Sequence, residues 1–419
     1  MKTAICLPEY TFITSGILPV PATEGGAVEG LVEQLIYNNE RSHRCNFKVI
    51  TIWSAQAEIA ARNYSNTQFI FLRAPRIILL LDNLLFSIAK NTNGKRNISA
   101  YRYVFQRLWY LWAVSAILAD EDCGKLIIEN HPSLYLTLKL RGNSTKYRGK
   151  YFYHLHNVFD DFYGCKEIAK QAKGVLSISR FVQESYASSL NGLIDKQKLI
   201  FRNCVDCSAF SRQFSAVEIS DFKLSVGLKS DDFVFMFSGR ITPEKGVREL
   251  LEAFALAVPS MPNARLLIVG AAFFGSDVSS EYESSVLEIA AKLRDLVVFS
   301  GYMEHANINI AYASSDVCCF PSMWEEPACL SVLEGLASGR PVISTISGGI
   351  PEYVGEGNAL LLDKGPGFVN RLSDAMIKLY NDSDLRDLLG KRGRRRALKF
   401  DSDLYLDSFL ACIEHVEDY

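Results

Sequence analysis

Residues Pro321–Glu352 read PSMWEEPACLSVLEGLASGRPVISTISGGIPE. The apolar run Val317–Phe320 before it predicts a strand. Leu330–Ala337 predicts a helix, which Gly339 ends. Pro341-Val-Ile-Ser-Thr-Ile starts the next strand, and Gly348-Gly349 closes it before another helix start. Strand, polar loop, helix, strand and glycine loop is the order in which an open parallel sheet builds a site at the carboxyl ends of its strands. Two carboxylates stand in that order, Glu326 in the loop and Glu334 on the helix.

Outward from this stretch the same alternation repeats. In the second half, strands are predicted at Phe233–Phe237, Arg265–Val269, Val297–Phe299, Val317–Phe320, Val342–Ser344 and Ala359–Leu362. Helices fall between them at Gly246–Val258, Ser280–Arg294 and Asn307–Ser315. In the first half, strands are predicted at Thr3–Leu7, Phe47–Trp53, Thr67–Leu72, Lys125–Glu129, Tyr151–His156, Val175–Ser179 and Lys198–Phe201. A long loop follows the first of these. The helix Ala27–Asn38 after it has Val28, Leu31, Val32, Leu35 and Ile36 on one face. Tyr101–Ala119 predicts a long apolar helix. Ser208–Ser230 reads as a polar joint, and Ser373–Val416 as helical with a basic patch at Lys391–Arg396. Repeated β-then-α order in each half predicts an α/β fold of two Rossmann-like parallel-sheet domains facing an interdomain cleft. The expected bounds are 1–212, 213–395 and a C-terminal helix, 396–419, that crosses back to the first domain.

The length of 419 residues agrees with two cores rather than one. Hydrophobic residues at 48% and charged residues at 22% exclude a disordered chain. Residues 1–212 hold 26 Lys and Arg against 17 Asp and Glu, and residues 213–419 hold 19 against 30. The first half therefore either meets something anionic or carries scattered solvated charge. The ten cysteines have no framework spacing, and Cys204-x-x-Cys207 has no second pair to complete a zinc site. A reducing, cytoplasmic setting is expected, peripheral to a membrane at most. No uncharged run reaches the ~18 residues that span a bilayer. Asp82 interrupts Ile77–Ala89, and Arg107 and Asp120 bracket Leu108–Ala119. Residues 73–112 mix Arg73, Arg76, Lys90, Lys95, Arg96, Arg102 and Arg107 with Leu, Phe, Tyr and Trp. That mixture fits either an interfacial surface for an anionic lipid-linked acceptor or a buried helix pair with a basic rim.

Several residue sets could carry chemistry. Gly25-Gly26 precedes a helix, where free N–H groups and the positive end of the dipole suit a diphosphate, although such a pair is often only a turn. Gly348-Gly349 is a second loop of this kind. Arg240 and Lys245 follow the strand Phe233–Phe237 and could neutralise a leaving diphosphate, or be surface charge on a turn. Glu326 and Glu334 suit sugar and ribose hydroxyls, or an acid–base pair for hydrolysis. His131 and His156 end strands and could hydrogen-bond or act as bases. His154 and His156 share one strand face, but no third ligand is evident nearby, and no metal is expected.

Taken together these motifs resemble the retaining glycosyltransferases of family 4, among the group 1 glycosyl transferases. Gly-Arg-x-x-x-x-Lys-Gly from Gly239, Asp316 with PSxxEE, the Glu326/Glu334 pair, LASGRPVIST and GGIPE stand in that family's order and spacing. PATEGGAVE at Pro21–Glu29, His154-Leu-His156-Asn157, Ile178-Ser179-Arg180 and Asn203-x-Val205-Asp206 are similar to it in the first half.

The resemblance implies the GT-B fold and transfer of a sugar from a nucleotide-diphosphate sugar, UDP-linked, without a metal or other cofactor. The acceptor implied is a saccharide or lipid-linked saccharide of surface polysaccharide or lipopolysaccharide, and nucleic acid is not an expected partner. Arg240 and Lys245 match the residues that grip the donor diphosphate. Glu326 matches the glutamate near the donor sugar, and Glu334 the one that holds the ribose. Cys329 and Leu330 lie in the same donor segment. Gly25 and Gly26 match the first-domain loop against the diphosphate. Glu29, His131, His156 and Asn157 fall on the acceptor side, with His156 near the transfer point. One departure stands out: Ala328 and Cys329 replace the family's aromatic and glycine, which bears on sugar choice. A GT-B epimerase or phosphorylase, and a non-catalytic saccharide-binding module, are the competing expectations.

Overall fold

The computed structural model describes residues 7–92, 101–270 and 281–417. These residues form two compact units: one runs to Arg202 and includes the last helix, Tyr405–Glu417, and the other is Asn203–Leu404. Each is an α/β unit on a parallel sheet.

The first unit's strands are β1 (Glu9–Ile13), β2 (Asn46–Ile52), β3 (Thr67–Leu72), β4 (Lys125–Glu129), β5 (Tyr151–Leu155), β6 (Gly174–Ser177) and β7 (Lys198–Ile200). Their order is β3-β2-β1-β4-β5-β6-β7, and every pairing is parallel. The second unit's strands are β8 (Phe233–Ser238), β9 (Ala264–Val269), β10 (Val297–Gly301), β11 (Val317–Phe320), β12 (Val342–Thr345) and β13 (Leu360–Leu362). Their order is β10-β9-β8-β11-β12-β13, again all parallel. Central strands such as Val317–Phe320 are buried at every residue. Both faces are covered by helices, so these strands read as continuous apolar runs rather than alternating ones.

Each order reverses once, between β1 and β4 in the first sheet and between β8 and β11 in the second. The crossover helices leave on opposite faces at such a point, and the loops beyond the two strands open a crevice. The loops after β1 and β4 carry Gly25, Gly26 and His131. Those after β8 and β11 carry Arg240, Lys245 and Glu326.

Four expectations change. Thr3–Leu7 lies outside the described residues except Leu7, and the central strand is Glu9–Ile13, inside the expected loop. The polar joint Ser208–Ser230 contains the helix Ala216–Ser225, opened by a capping box between Ser215 and Glu218. The division falls at Arg202/Asn203 rather than at 212/213. Val205, Cys207 and Phe210 join the second core, and Val205 bridges to Asp401. The basic helix Ser383–Ala397 stays with the second unit, where Arg396 donates to the carbonyls of Glu352 and Tyr353. Only Tyr405 onward joins the first. Phe409 packs on Tyr10 and Phe12 with ring centroids 5.4 and 5.9 Å apart, and Tyr405 stacks on Phe201 at 4.5 Å.

Candidate functional site

In the second unit the site grows from the ends of β8 and β11. Beyond β8 the chain passes Gly239 and Arg240, makes a short turn at Pro243–Lys245, and enters the helix Val247–Ala257 through Gly246. Gly246 has a φ of +70°, and a Cβ on it would stand 1.9 Å from the carbonyl oxygen of Pro321. Only glycine lets the two loops touch here. That contact sets Lys245 against the loop after β11.

Lys245 Nζ donates to Glu326 Oε1 at 2.5 Å, and Ser322 Oγ donates to the same oxygen at 2.8 Å. Glu326 is buried and the Lys245 side chain is 21% exposed. Burial works against the Lys245 charge, but the acidic groups of Cys329 and Glu326 outweigh it and hold its pKa above the ordinary lysine value. Cys329 itself is pushed up to about 12, by burial first and then by Glu326. It is a neutral thiol at physiological pH, so Glu326 supplies the anion that Lys245 meets. Arg240 is exposed, and its side chain makes no hydrogen bond or ion pair with another described residue. It is a cation open to a ligand at the same strand end.

Gly348-Gly349 has a different part from the one its sequence suggests. Gly349 N donates to Glu326 O at 2.7 Å. Gly348 has a φ of +50°, and a Cβ there would stand 2.2 Å from that same oxygen. The pair lets the backbone of one loop press on the other and fixes Glu326 from behind. Cys329 caps the helix Leu330–Ala337, with Leu330 half-buried as its first residue. One turn on, Glu334 is buried. Its Oε2 accepts from Tyr312 Oη at 2.7 Å, and its Oε1 lies 3.1 Å from Nε2 of the exposed His305. The Glu334 hydrogen bond raises the His305 pKa. A charged residue on an amphipathic helix usually marks its wet face. Here it is held inside by a tyrosine.

The first unit has its own cluster. Gly26, with a φ of +103°, precedes the helix Ala27–Ser42 and lies against the Glu29 carboxylate, which would meet its Cβ at 2.3 Å. Burial raises the Glu29 pKa. Glu29 Oε1 accepts from Ser15 Oγ at 3.2 Å, and Arg107 donates to Ser15 O at 2.5 Å and to Ser133 Oγ at 2.8 Å. Ser133 N donates to Nδ1 of His131 at 3.2 Å. One chain of polar contacts therefore ties the Gly25-Gly26 loop to His131. Burial, then Arg107, lowers the His131 pKa to about 4, so its ring is neutral. His156 N and Asn157 Nδ2 both donate to Asn130 Oδ1, at 3.3 and 3.2 Å. The His156 ring faces inward instead, toward His154 at 3.2 Å and Glu129 at 3.4 Å. Burial first, then His154, lowers its pKa to about 4.

Within each unit the structure thus gathers the expected residues. Lys245 and Glu326 meet directly with Cys329 close enough to act on the Lys245 charge, Glu334 follows Leu330 by one helical turn, and Gly26, Glu29 and His131 share a network. Sequence reasoning missed Ser322, Tyr312 and His305 in the second unit, and Arg107, Ser133 and Glu129 in the first. All act through contacts that no local spacing records.

Comparison with known proteins bears on the fold and the enzyme class. Residues 219–396 match the family described as Glycosyl transferases group 1. The putative glycosyltransferase YtcC of Bacillus subtilis is 24% identical over 92% of this chain and 87% of its own length. The lipopolysaccharide 1,2-N-acetylglucosaminetransferase of Salmonella typhimurium is 24% identical over 64% of this chain and 70% of its own. Among solved structures, Anabaena HepE in complex with UDP and glucose superposes with a TM-score of 0.70 at 19% identity, covering 97% of this chain and 99% of that one. Residues 219–396 form a group 1 glycosyl transferase domain, and the chain is a glycosyltransferase enzyme of the GT-B fold.

Proposed function

We propose that the chain is a retaining glycosyltransferase of family 4 that moves a sugar from a UDP-linked donor to a saccharide or lipid-linked saccharide of surface polysaccharide or lipopolysaccharide. The observation that carries this reading is the Lys245–Glu326–Ser322 cluster with the open Arg240 beside it, at the switch point of the second sheet. The donor diphosphate takes Arg240 and Lys245 as its cations. Its ribose takes Glu334, held for that purpose by Tyr312, and its sugar takes Glu326. The bond from the anomeric carbon to the diphosphate oxygen breaks, and the acceptor hydroxyl oxygen bonds that carbon from the same face. The acceptor proton passes to the departing diphosphate. Charge grows on the leaving group in the transition state, so fixed cations there lower the barrier more than they strengthen ground-state binding. Side-chain cations meet that need without a metal on the diphosphate. The relatives named for lipopolysaccharide and for capsular polysaccharide biosynthesis support the acceptor class.

The first unit supports a lipid-linked acceptor. The helix Arg76–Thr92 exposes Ile77, Leu80, Leu84 and Ile88, at 66%, 66%, 59% and 50%. These recur at three- and four-residue spacing on one face. Arg73 lies over the Trp53 ring at the helix entry. No helix among the described residues is long and apolar enough to cross a membrane. An apolar stripe edged by arginine suits the headgroup boundary of an anionic bilayer.

The test is a thermal-shift and turnover screen over nucleotide sugars, since a ligand of the native state raises stability by mass action. At least one UDP-sugar should raise the midpoint and be consumed. A protein that neither binds nor consumes any nucleotide sugar contradicts the proposal.

A further inference from the structure

The pair of histidines at the end of β5 has a third partner that the sequence hides. His154 and His156 lie on one face of the strand by period-two alternation. Glu129 ends β4 and is register-paired with His154. Glu129 Oε2 lies 3.0 Å from His154 Nδ1 and 3.4 Å from His156 Nε2, and the two ring nitrogens are 3.2 Å apart. All three residues are buried, and all three offer donor atoms within 4.8 Å of one another.

From this geometry we infer a zinc site formed by Glu129, His154 and His156 at the carboxyl edge of the first sheet. The glycosyl transfer proposed above calls on neither Glu129 nor His154. Donors about 2.0–2.2 Å from a tetrahedral zinc stand roughly 3.3–3.5 Å apart, close to the separations found. Two histidines and a glutamate are a ligand set that zinc takes with three protein donors. The charge balance points the same way. Glu129 is completely buried, and no lysine or arginine pairs with it among the described residues. The other titratable groups that face it are Glu29, a second acid, and Tyr153. Its Oε1 contacts His154 Nδ1 at 3.2 Å, while Oε2 has two ring nitrogens close to it and no partner at good hydrogen-bond geometry. A divalent cation between the three donors would neutralise the carboxylate and satisfy that oxygen together. The neighbouring strands β4 and β5 supply Glu129 and His154, and His156 follows β5 directly, so the site needs little ordering to form. Its place on the first sheet makes it a device that fixes His156 and the adjoining Asn157 on the acceptor side. It is not a partner of the donor phosphates.

The test is elemental analysis of the full chain, purified without an immobilised-metal step from zinc-supplemented cultures. About one zinc per chain is expected. Cobalt exchanged into the chelated protein should give the visible absorption of a tetrahedral centre. Glu129→Gln and His154→Ala should each drop the zinc content at least about tenfold, while His43→Ala keeps it. Should those variants fail to fold, the wild-type stoichiometry and the cobalt spectrum decide alone. Wild-type protein that carries no zinc and takes up no cobalt overturns the inference, and assigns the cluster a shared proton instead. Folded Glu129→Gln and His154→Ala proteins that keep full zinc also overturn it. Neither outcome touches the nucleotide-sugar reading, which the donor screen tests separately.

Discussion

The ammonium of Lys245 lies 2.5 Å from a carboxylate oxygen of Glu326, a residue 81 positions further along the chain. The contact exists because β8 and β11 are neighbours in the sheet, with Gly246 letting the loops beyond them touch. In the proposed reaction this pair keeps each charge in place until a diphosphate and a sugar exchange partners with it.

Lys245→Ala and Glu326→Ala should each lower turnover by at least the ~10²-fold that follows loss of one preorganised electrostatic group. Steady-state kinetics with the best donor from the screen provide the check. Near-native turnover in both variants would remove the roles assigned to this pair.

Glu334→Ala should act mainly on donor binding. A hydrogen bond to a charged group is worth about 1.5–3 kcal/mol, so the donor KM should rise by roughly tenfold or more with a smaller change in kcat. Tyr312→Phe should move KM in the same direction by less, since the carboxylate stays but loses its anchor. An unchanged donor KM in Glu334→Ala would show that the ribose sits elsewhere.

Three glycines give a graded test of the backbone argument. Gly25 has a φ of +80° and open space around its missing Cβ, so Gly25→Ala should cost only the left-handed strain of about 1–2 kcal/mol. Gly246→Ala and Gly348→Ala add a clash with the carbonyls of Pro321 and Glu326, which cannot swing away as a side chain would. Both should lower the melting midpoint more than Gly25→Ala does, and both should depress turnover. Equal midpoints across the series would show that the loops yield at no cost.

His305 gives a pH signature. Its folded pKa is raised by Glu334, so its contribution to stability is complete below the unfolded value and fades as pH rises through the folded one. The gap in melting midpoint between wild type and His305→Ala should therefore be larger at pH 6 than at pH 9. The side chain is 75% exposed, so solvent screening keeps the gap small. A gap that widens toward pH 9 would reverse the assigned pairing.

Cys329→Gly restores the residue that the family places there. Cys329 has an extended φ of −114°, so its conformation does not itself require glycine, and the effect should be on space. The ratio of kcat/KM between a plain hexose donor and its N-acetylated counterpart should shift toward the bulkier sugar. A ratio unchanged within error would mean that the thiol does not border the sugar.

Much of this was legible before any coordinates. Alternating strands and helices gave the two parallel sheets, because strands covered on both faces must be continuous apolar runs and crossovers need helices. Arg240, Lys245, Glu326 and Glu334 stood out because together they stand in the order and spacing of the glycosyltransferase motifs, although each alone reads equally as surface charge. Asp82 shows the limit. In the sequence it interrupts an apolar run. In the fold it is buried, and its two oxygens accept from the Phe105 and Gln106 amides at 2.8 Å each, capping the helix that follows.

Local order in the chain thus determined which segments are strands, which are helices and which loops carry charge, since periodicity and turn chemistry act over a few residues. Strand order was decided only by the tertiary structure, and strand order chooses which loops share a crevice. It put Lys245 against Glu326, turned Gly348-Gly349 into the support behind Glu326, and set Glu129 beside His154 and His156. None of these has a local signal, because each depends on a contact between strands that are distant in sequence and adjacent in the sheet.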